Sequence, residues 1–221
     1  MNKIISTLSI AMLSLGIVSC SNSGSNSTLA GTQTLTGQFI DSPVAGLAFT
    51  TNSSSGVTDT DGKLEYNSGE TCTFLIGDLE LGSMLCAPIM SPYNLGGTTN
   101  FIAPTQKTTN IARILQSLNT NADANISIVL NPNVAANFDG TDINISSADL
   151  NMTLIADRAF AQASDINYTA KTVSEVDALT TLKTYITQTY PDHIEYSLTV
   201  LELKALIVEY SSDLDPILKR N

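Results

Sequence analysis

Several residue types are scarce in this sequence, and each scarcity narrows the range of sites that the chain can form. The 221 residues include no Trp, one His and three Cys, and only 14% of them are charged. Ten Lys and Arg residues stand against 21 Asp and Glu residues, so the formal net charge is −11. Nucleic acids and anionic lipid head groups are bound through clustered Lys and Arg, so neither is an expected partner.

The residues that are present fit a folded protein with a polar surface. Hydrophobic residues make up 43% of the chain and recur with the periods of helices and strands, which excludes disorder throughout. Ser, Thr and Asn together account for close to a third of the sequence. A chain of this length allows one or two small domains.

The amino-terminal residues carry the pattern of an export signal. Lys3 precedes an uncharged apolar run from Ile4 to Val18, which is shorter than the ~20 residues of a membrane-spanning helix. The run leads into Ile17-Val18-Ser19-Cys20, which resembles the lipobox of bacterial lipoproteins. The resemblance implies cleavage before Cys20, diacylation of its thiol and acylation of the new amino terminus. The alternative is an ordinary signal peptide with a chance Cys at this position.

A polar stretch separates the signal peptide, residues 1–19, from the folded part. Residues 20–33 are predicted to be the lipidated Cys and a flexible tether, because the run from Ser21 to Thr28 cannot bury apolar area. Ser21 stands where an Asp would resemble an inner-membrane retention signal. The expected location is therefore the bacterial cell envelope, on the outer membrane of a Gram-negative cell, with the membrane contacted through the acyl anchor.

Two cysteines remain once Cys20 is assigned to lipid. Cys72 and Cys86 lie in a chain that is expected to be exported, and the compartments outside the cytoplasm are oxidising, so they predict one disulfide. The alternatives are two free buried thiols or a metal pair. A single distant His does not supply the ligand spacing of a zinc site.

Short β-like runs separated by turn residues fill residues 34–104. Strands are predicted at Leu35–Ile40, Leu47–Thr50, Lys63–Tyr66, Thr71–Ile76 and Leu79–Leu81, with turns at Asp41–Pro43, Asn52–Gly56 and Asp59–Gly62. Their spacing of about ten residues favours a small antiparallel β-sandwich. Asp59 and Asp61 are turn caps or Ca²⁺ ligands. The turn is favoured, because a calcium loop needs more ligands than two carboxylates.

Three stretches of this region resemble a module that recurs in bacterial surface lipoproteins. They are Gly37-Gln38-Phe39-Ile40-Asp41-Ser42-Pro43-Val44-Ala45-Gly46-Leu47, Gly56-Val57-Thr58-Asp59-Thr60-Asp61-Gly62-Lys63-Leu64-Glu65-Tyr66 and Gly69-Glu70. The module is similar to carboxypeptidase-regulatory and transthyretin-like β-sandwiches, most of which are binding, spacer or stalk domains. The resemblance covers about residues 34–118, and it implies a fold more than a function.

Residues 105–221 show the apolar spacing of amphipathic helices. One helix is predicted to begin at Thr108 and to bury Ile111, Ile114, Leu115 and Leu118. Another follows a capping box at Ser146–Asp149 with a stripe of Leu150, Leu154 and Ala161. A helix from Ser174 to Pro191 has the stripe Val176, Leu179, Leu182 and Ile186, and a last one is predicted from Thr199 to Tyr210. The predicted class is thus α+β, a small antiparallel β-sandwich followed by a C-terminal helical region.

Oxygen-bearing side chains alternate after the helix that ends at Leu118. The four residues concerned are Asn119, Asn121, Asp123 and Asn125, and their spacing resembles the start of an EF-hand-like or dockerin-like loop. The resemblance implies that they bind Ca²⁺. Asn replaces acids at two positions, Ala124 replaces the turn Gly and Leu130 replaces the final Glu, so any Ca²⁺ site is expected to be weak. The alternative is a helix C-cap followed by an Asn-rich loop. No other cofactor is expected.

Residues suited to catalysis are sparse. His193 follows Pro191 and Asp192, and no G-x-S-x-G elbow accompanies it, so a surface His is expected. The carboxylate pairs Asp59/Asp61 and Asp139/Asp142 lie in polar turn stretches. The sequence therefore predicts a non-enzymatic surface or periplasmic binding or adhesion module with an unknown protein or glycan partner. The alternative is an envelope hydrolase that uses two carboxylates.

Overall fold

The computed structural model describes residues 33–98, 104–121, 126–140, 143–160 and 171–190. These ranges contain both sheets and helices, which confirms the α+β class. Several predicted features lie outside the described residues: Cys20 with the signal peptide and tether, Asp123, Asn125, Asp142, His193 and the helix from Thr199 to Tyr210. None of the helices in the described ranges is both long and apolar enough to cross a bilayer.

Nine strands are found in the described ranges. They are β1 Thr34–Phe39, β2 Val44–Ala45, β3 Ala48–Thr50, β4 Ser55–Val57, β5 Lys63–Asn67, β6 Thr71–Ile76, β7 Leu79–Leu85, β8 Ile89–Met90 and β9 Ile128–Val129. The strands predicted at β1, β3, β5 and β6 are confirmed, whereas β7 runs four residues beyond its predicted end. The predicted turn over Asn52–Gly56 is partly wrong, because Ser55 and Gly56 pair with β3 as part of β4.

The strands form two larger sheets and one short pair. One sheet has the order β5-β1-β8, the other has the order β4-β3-β6-β7, and β2 pairs with β9. The four-stranded sheet is antiparallel throughout, as is the β1–β5 pair, in which Thr34 lies opposite Asn67. The pairs β1–β8 and β2–β9 are parallel, so the prediction of a purely antiparallel sheet is wrong at these two pairs. Parallel pairing is possible there because long connections bring β8 and β9 back beside earlier strands.

Five helices are found in the same ranges: α1 Pro92–Leu95, α2 Gln106–Ser117, α3 Pro132–Ala136, α4 Met152–Phe160 and α5 Glu175–Thr189. α2 begins before the predicted Thr108, because the Thr105 side chain caps it by accepting the Thr108 N–H. Its predicted apolar face is confirmed, since Ile111, Ile114, Leu115 and Leu118 are all fully buried.

The predicted cap and buried face of α4 are both wrong. The helix begins at Met152, and the Asn151 side chain accepts the Leu154 N–H at 3.0 Å, so the capping box at Ser146–Asp149 does not start it. Leu154 is 64% exposed, whereas Met152, Ile155, Ala156 and Ala159 are buried at the spacing of one helical face. The predicted stripe had the wrong phase because it was aligned on Leu150 and Leu154, whereas Met152 and Ile155 mark the face that is buried.

The predicted cap of α5 is confirmed, and its face is confirmed in part. Ser174 Oγ accepts the Asp177 N–H at 3.1 Å and donates to Asp177 Oδ2 at 2.7 Å. Leu182 and Ile186 are buried as predicted, but Val176 is 74% exposed. Ala178 takes its place on the buried face, because a small side chain allows the helix backbone to approach α2 closely.

The buried apolar side chains form two clusters. The main core joins side chains of both larger sheets to α2, and the rings of Phe39 and Phe74 meet in it with centroids 4.6 Å apart. The smaller cluster, called here the second core, consists of Ile40, Tyr93, Ala112, Ala178, Leu182 and Ile186. α5 contributes three of these six residues, so it packs on the second core and not on the main one.

Candidate functional site

The disulfide predicted between Cys72 and Cys86 is confirmed. The two sulfurs are 2.03 Å apart and the Cα atoms 5.1 Å apart, with both residues buried. The bond joins β6 to the residue that follows β7, and the Cys86 N–H donates to the Glu70 carbonyl at 2.9 Å. The alternatives of free thiols or a metal pair are therefore wrong for these two residues.

Asp59 organises the turn before β5. Its Oδ1 accepts the backbone N–H groups of Asp61 at 2.9 Å and Lys63 at 2.8 Å, which confirms the predicted turn cap. Gly62 has φ +76° and leaves no room for a side chain, since a Cβ there would lie 2.6 Å from the Phe39 carbonyl oxygen. Asp61 Oδ2 forms an ion pair with Lys63 Nζ at 2.8 Å. Both carboxylates are thus engaged within the turn itself.

An open groove of about 590 Å³ lies between β5 and the segment that contains β4. Its walls are mainly uncharged polar and apolar side chains. The lining residues are Thr34, Thr36, Phe49, Ser53, Ser54, Ser55, Val57, Leu64, Tyr66 and Asn67, together with the charged residues Asp59, Lys63 and Glu65. Hydroxyl and amide groups therefore face the same space as an aromatic and an aliphatic surface.

The edge of β5 that faces this groove is open at one residue. The bond from the Phe39 N–H to the Gly62 carbonyl, 2.8 Å, sets the alternation of the β1–β5 ladder, so Lys63, Glu65 and Asn67 direct their backbone groups away from β1. Asp59 Oδ1 accepts the N–H of Lys63, and Glu70 Oε2 accepts that of Asn67, each at 2.8 Å. Side-chain carboxylates thus protect this edge on both sides of Glu65.

Glu70 holds the end of the groove together. Hydrogen bonds from the Ser53 hydroxyl and then from the Asn67 backbone N–H keep the pKa of the Glu70 carboxyl below its ordinary value. Asn67 Nδ2 also donates to Ser53 Oγ at 2.9 Å, which ties β5 to the loop before β4. A lowered pKa means that this network contributes stability above the ordinary pKa of Glu and loses it as the pH falls through the lowered value.

The two described members of the predicted Ca²⁺ loop serve as hydrogen-bonding partners of backbone. Asn119 is fully buried, and its Oδ1 accepts the N–H groups of Asn121 and Val129, both at 2.8 Å. The side-chain amides of Asn119 and Asn121 both donate to the Ser127 carbonyl at 3.3 Å. Asn119 thus joins the end of α2 to β9 through the acceptor atom that a cation would need. Ca²⁺ binding at the four residues stays a prediction.

Millimolar Ca²⁺ is expected to raise the melting temperature by no more than about 2 °C. A site with a dissociation constant near 1 mM adds only about 0.4 kcal/mol at 1 mM ligand, and a chain of this size gains about 2–4 °C per kcal/mol. The measurement is thermal unfolding with Ca²⁺, with Mg²⁺ as the control cation, and without either. A rise of about ten degrees with Ca²⁺ alone would show that the loop is a genuine calcium site.

A buried acid that the sequence pattern did not single out lies beneath α5. Asp41 is fully buried, and its Oδ1 accepts a hydrogen bond from the Gln116 side-chain amide at 2.9 Å, whereas its Oδ2 has no hydrogen-bond partner among the described residues. Burial raises the pKa of the Asp41 carboxyl well above its ordinary value, and the Gln116 bond opposes that rise. Ser42, the next residue, has φ +98°, which is uncommon for a residue other than Gly. The one sequence signal was Gln116 itself, a polar residue next to Leu115 on the buried side of α2.

Of the second carboxylate pair, Asp139 and Asp142, the structure describes only Asp139. Asp139 lies beside an apolar trough between the four-stranded sheet and α3. Within the part of the chain that the structure describes, no three His, Cys, Asp or Glu side chains are grouped so as to hold a metal ion.

Comparison of the chain with protein-family models, with curated proteins and with solved structures finds no match. The resemblance to the lipoprotein module therefore continues to depend on the motifs between Gly37 and Glu70. The function has to be argued from the residues and their geometry.

Proposed function

We propose that this chain is a lipid-anchored protein of the bacterial cell envelope and that its folded part is a non-enzymatic binding or adhesion module. The observation that carries the proposal is the disulfide between Cys72 and Cys86, in a chain whose apolar leader ends at Cys20. Structural disulfides are typical of exported proteins and rare in the cytoplasm. The disulfide and the leader thus both favour a location of the folded part outside the cytoplasm.

The anchor is proposed to be the acylated Cys20, and the outer membrane is its proposed location because Ser21 follows. Two or more acyl chains give stable attachment, since each buried methylene contributes roughly 0.8 kcal/mol. Residues 21–33 would then act as the tether that holds the folded part just off the membrane surface.

The folded part is proposed to be a β-sandwich of the carboxypeptidase-regulatory or transthyretin-like kind. Support comes from the main core, to which both larger sheets contribute side chains that include Phe39 and Phe74. Two sheets that share one apolar core are the architecture of a sandwich. Domains of this kind commonly serve as binding or spacer domains, which is consistent with a non-enzymatic module.

A binding role is favoured over a carboxylate hydrolase by the state of the acids at the groove. A hydrolase of that kind needs one carboxyl group to transfer a proton and another to act as base or nucleophile. Asp59 Oδ1 is held by two backbone N–H groups, and Asp61 is paired with Lys63. Both acids have structural roles in the turn, which supports the binding module.

The groove along β5 is the proposed contact surface. It offers Ser and Thr hydroxyls, the Asn67 amide and the backbone N–H and C=O of Glu65 next to Phe49 and Val57. These groups suit a partner surface, protein or glycan, that exchanges hydrogen bonds and carries little net charge. On the outer edge of β5, only the backbone N–H and C=O of Glu65 can pair with a partner strand, because carboxylates bind the N–H groups of Lys63 and Asn67 on either side. Addition of a longer strand, as in aggregation, is therefore disfavoured.

Site-specific photo-crosslinking in intact cells tests this function. A photoreactive residue in place of Ser55, which lines the groove, is compared with one in place of Lys183, an exposed residue of α5. The proposal predicts a discrete adduct from the groove position, retained when the probe is moved to Thr36, and none from Lys183. Absence of an adduct at both groove positions, or the same adduct from all three positions, would contradict the groove as the contact surface.

A further inference from the structure

We propose that α5 is a pH-dependent strap, which is held on the second core while Asp41 is protonated and is released as Asp41 ionises. This inference concerns a device within the fold and does not depend on what the groove binds. It rests on three features of the structure: the burial of one carboxyl group, the bridge that connects it to α5, and the separation of α5 from the main core.

The bridge is a single side-chain amide. Gln116 Nε2 donates to Asp41 Oδ1 at 2.9 Å and to the Ala178 carbonyl of α5 at 3.0 Å. Asp41 itself is fully buried in the turn between β1 and β2, and within the described part of the chain its Oδ2 has no hydrogen-bond partner. The buried carboxyl group of Asp41 is therefore connected to the backbone of α5 through one intervening side chain, that of Gln116.

The ionisable groups of the elements around Asp41 do not offset its charge. On α1, Tyr93 is buried, and the pKa of its phenol is raised by burial and then by the negative charge of Asp41. On α2, Arg113 binds the Val173 carbonyl and Glu175 at the start of α5, and Lys107 lies over Gly82 of β7. β8 carries no ionisable side chain, and the ionisable residues of α5 are Glu175, Asp177, Lys183 and Tyr185, of which the first three are exposed. Among the described residues, no cation neutralises Asp41.

α5 can leave without the sheets coming apart. Its buried residues Ala178, Leu182 and Ile186 belong to the second core, while the side chains that join the two sheets belong to the main core. Polar contacts also hold both of its ends. At the start, Arg113 Nε donates to the Val173 carbonyl, the Val173 N–H donates to Ser117 Oγ, and Glu175 accepts from Arg113 and Gln106. At the other end, the Tyr190 hydroxyl donates to Gln38 Oε1 at 2.6 Å. Elements that pack on a small separate cluster open locally before the whole domain unfolds.

The sign of the pH effect follows from the raised pKa of Asp41 in the docked state. When α5 opens, Asp41 meets water and returns to its ordinary pKa, so opening releases a proton at any pH between the two values. Opening therefore becomes about tenfold easier for each unit of pH above the ordinary pKa of Asp, and it levels off above the pKa of the docked state. Docking is strongest in acid and weakens as the pH rises.

Hydrogen–deuterium exchange of the full chain tests the strap. Amide protection factors, corrected for the intrinsic rates, are measured from about pH 5 to about pH 8. In the wild-type protein, protection in α5 is expected to fall about tenfold per pH unit wherever the pH lies between the ordinary pKa of Asp and the raised pKa of Asp41 in the docked state. In Asp41→Asn it is expected to be flat, and higher than wild type at the upper end.

Asp157→Asn is the matched control, because Asp157 is an exposed carboxylate on α4, and it is expected to keep the wild-type slope. The same slope in Asp41→Asn, or a flat profile in the wild type, would overturn the proposal. If Asp41→Asn does not fold, carbon-13 NMR titration of the Asp41 carboxyl in the wild type decides. A midpoint at the ordinary value for Asp refutes the strap, and a raised midpoint at the pH where the fall in α5 protection levels off supports it. A raised midpoint with no pH-dependent fall in α5 protection refutes it as well.

Discussion

Replacing Cys72 and Cys86 together by Ala is expected to lower the free energy of unfolding by about 3 kcal/mol. The two residues are 14 apart in the chain, and the chain-entropy model assigns about 3 kcal/mol to a closed loop of roughly 15 residues. For a chain of this length, the melting temperature should fall by about 6–12 °C. Both side chains are buried, so Ala is tolerated sterically and the loss reports the cross-link together with a small loss of packing. Urea unfolding of the wild type and the double variant measures the difference.

The reductant supplies the control for that experiment. A reducing agent should destabilise the wild type to a level near that of the double variant and should leave the double variant unchanged. A wild-type stability that does not respond to full reduction would mean that the bond has no structural role. The inference that the fold matures in an oxidising compartment would then lose its structural support.

Replacing Cys20 by Ala is expected to abolish attachment to the membrane through acyl chains. The thiol that would accept these chains is removed. The protein should appear as a soluble or unprocessed species after cell fractionation, where the wild type sediments with the membranes. Cleaved chains should leave the membrane fraction almost completely, because they have no acyl chains, whereas unprocessed chains keep the apolar leader and are recognised by their larger mass.

The double variant at Cys72 and Cys86 is the matched control for this result, because it also loses thiols but keeps Cys20. It should remain in the membrane fraction, although it is less stable. If Cys20→Ala is cleaved to the mature length of the wild type and still sediments with the membranes, the anchor lies elsewhere in the chain and the lipobox interpretation is wrong.

The sequence correctly predicted those elements that are stabilised by residues close together in the chain. The alternation over Lys63–Asn67 buries Leu64 and Tyr66 as expected, and Ser174 caps α5 through its own hydroxyl. The turn at Asp59 was also predictable, because the side chain bonds to backbone only two and four residues further along. In each case the two interacting residues lie within a few positions of each other in the sequence.

The features that were missed depend on residues far apart in the chain. Asp41 and Gln116 are separated by 75 residues, so nothing in the turn around Asp41 indicates that it is buried and bonded to Gln116 of α2. Two of the four buried residues of α4 are Ala156 and Ala159, whose burial depends on the neighbouring elements and not on their hydrophobicity. The groove lies between β5 and the segment around Ser53–Ser55. Whether these two segments leave a space between them depends on the tertiary packing, which the local sequence does not show.

Mass spectrometry of the mature amino terminus, on protein extracted from membranes, tests the central claim most directly. The account predicts that the first residue is the one after Ser19, that it carries both thioether-linked diacylglycerol and an amide-linked acyl chain, and that reduction does not release them. An unmodified amino terminus, or a chain that retains the leader from Met1, would contradict it.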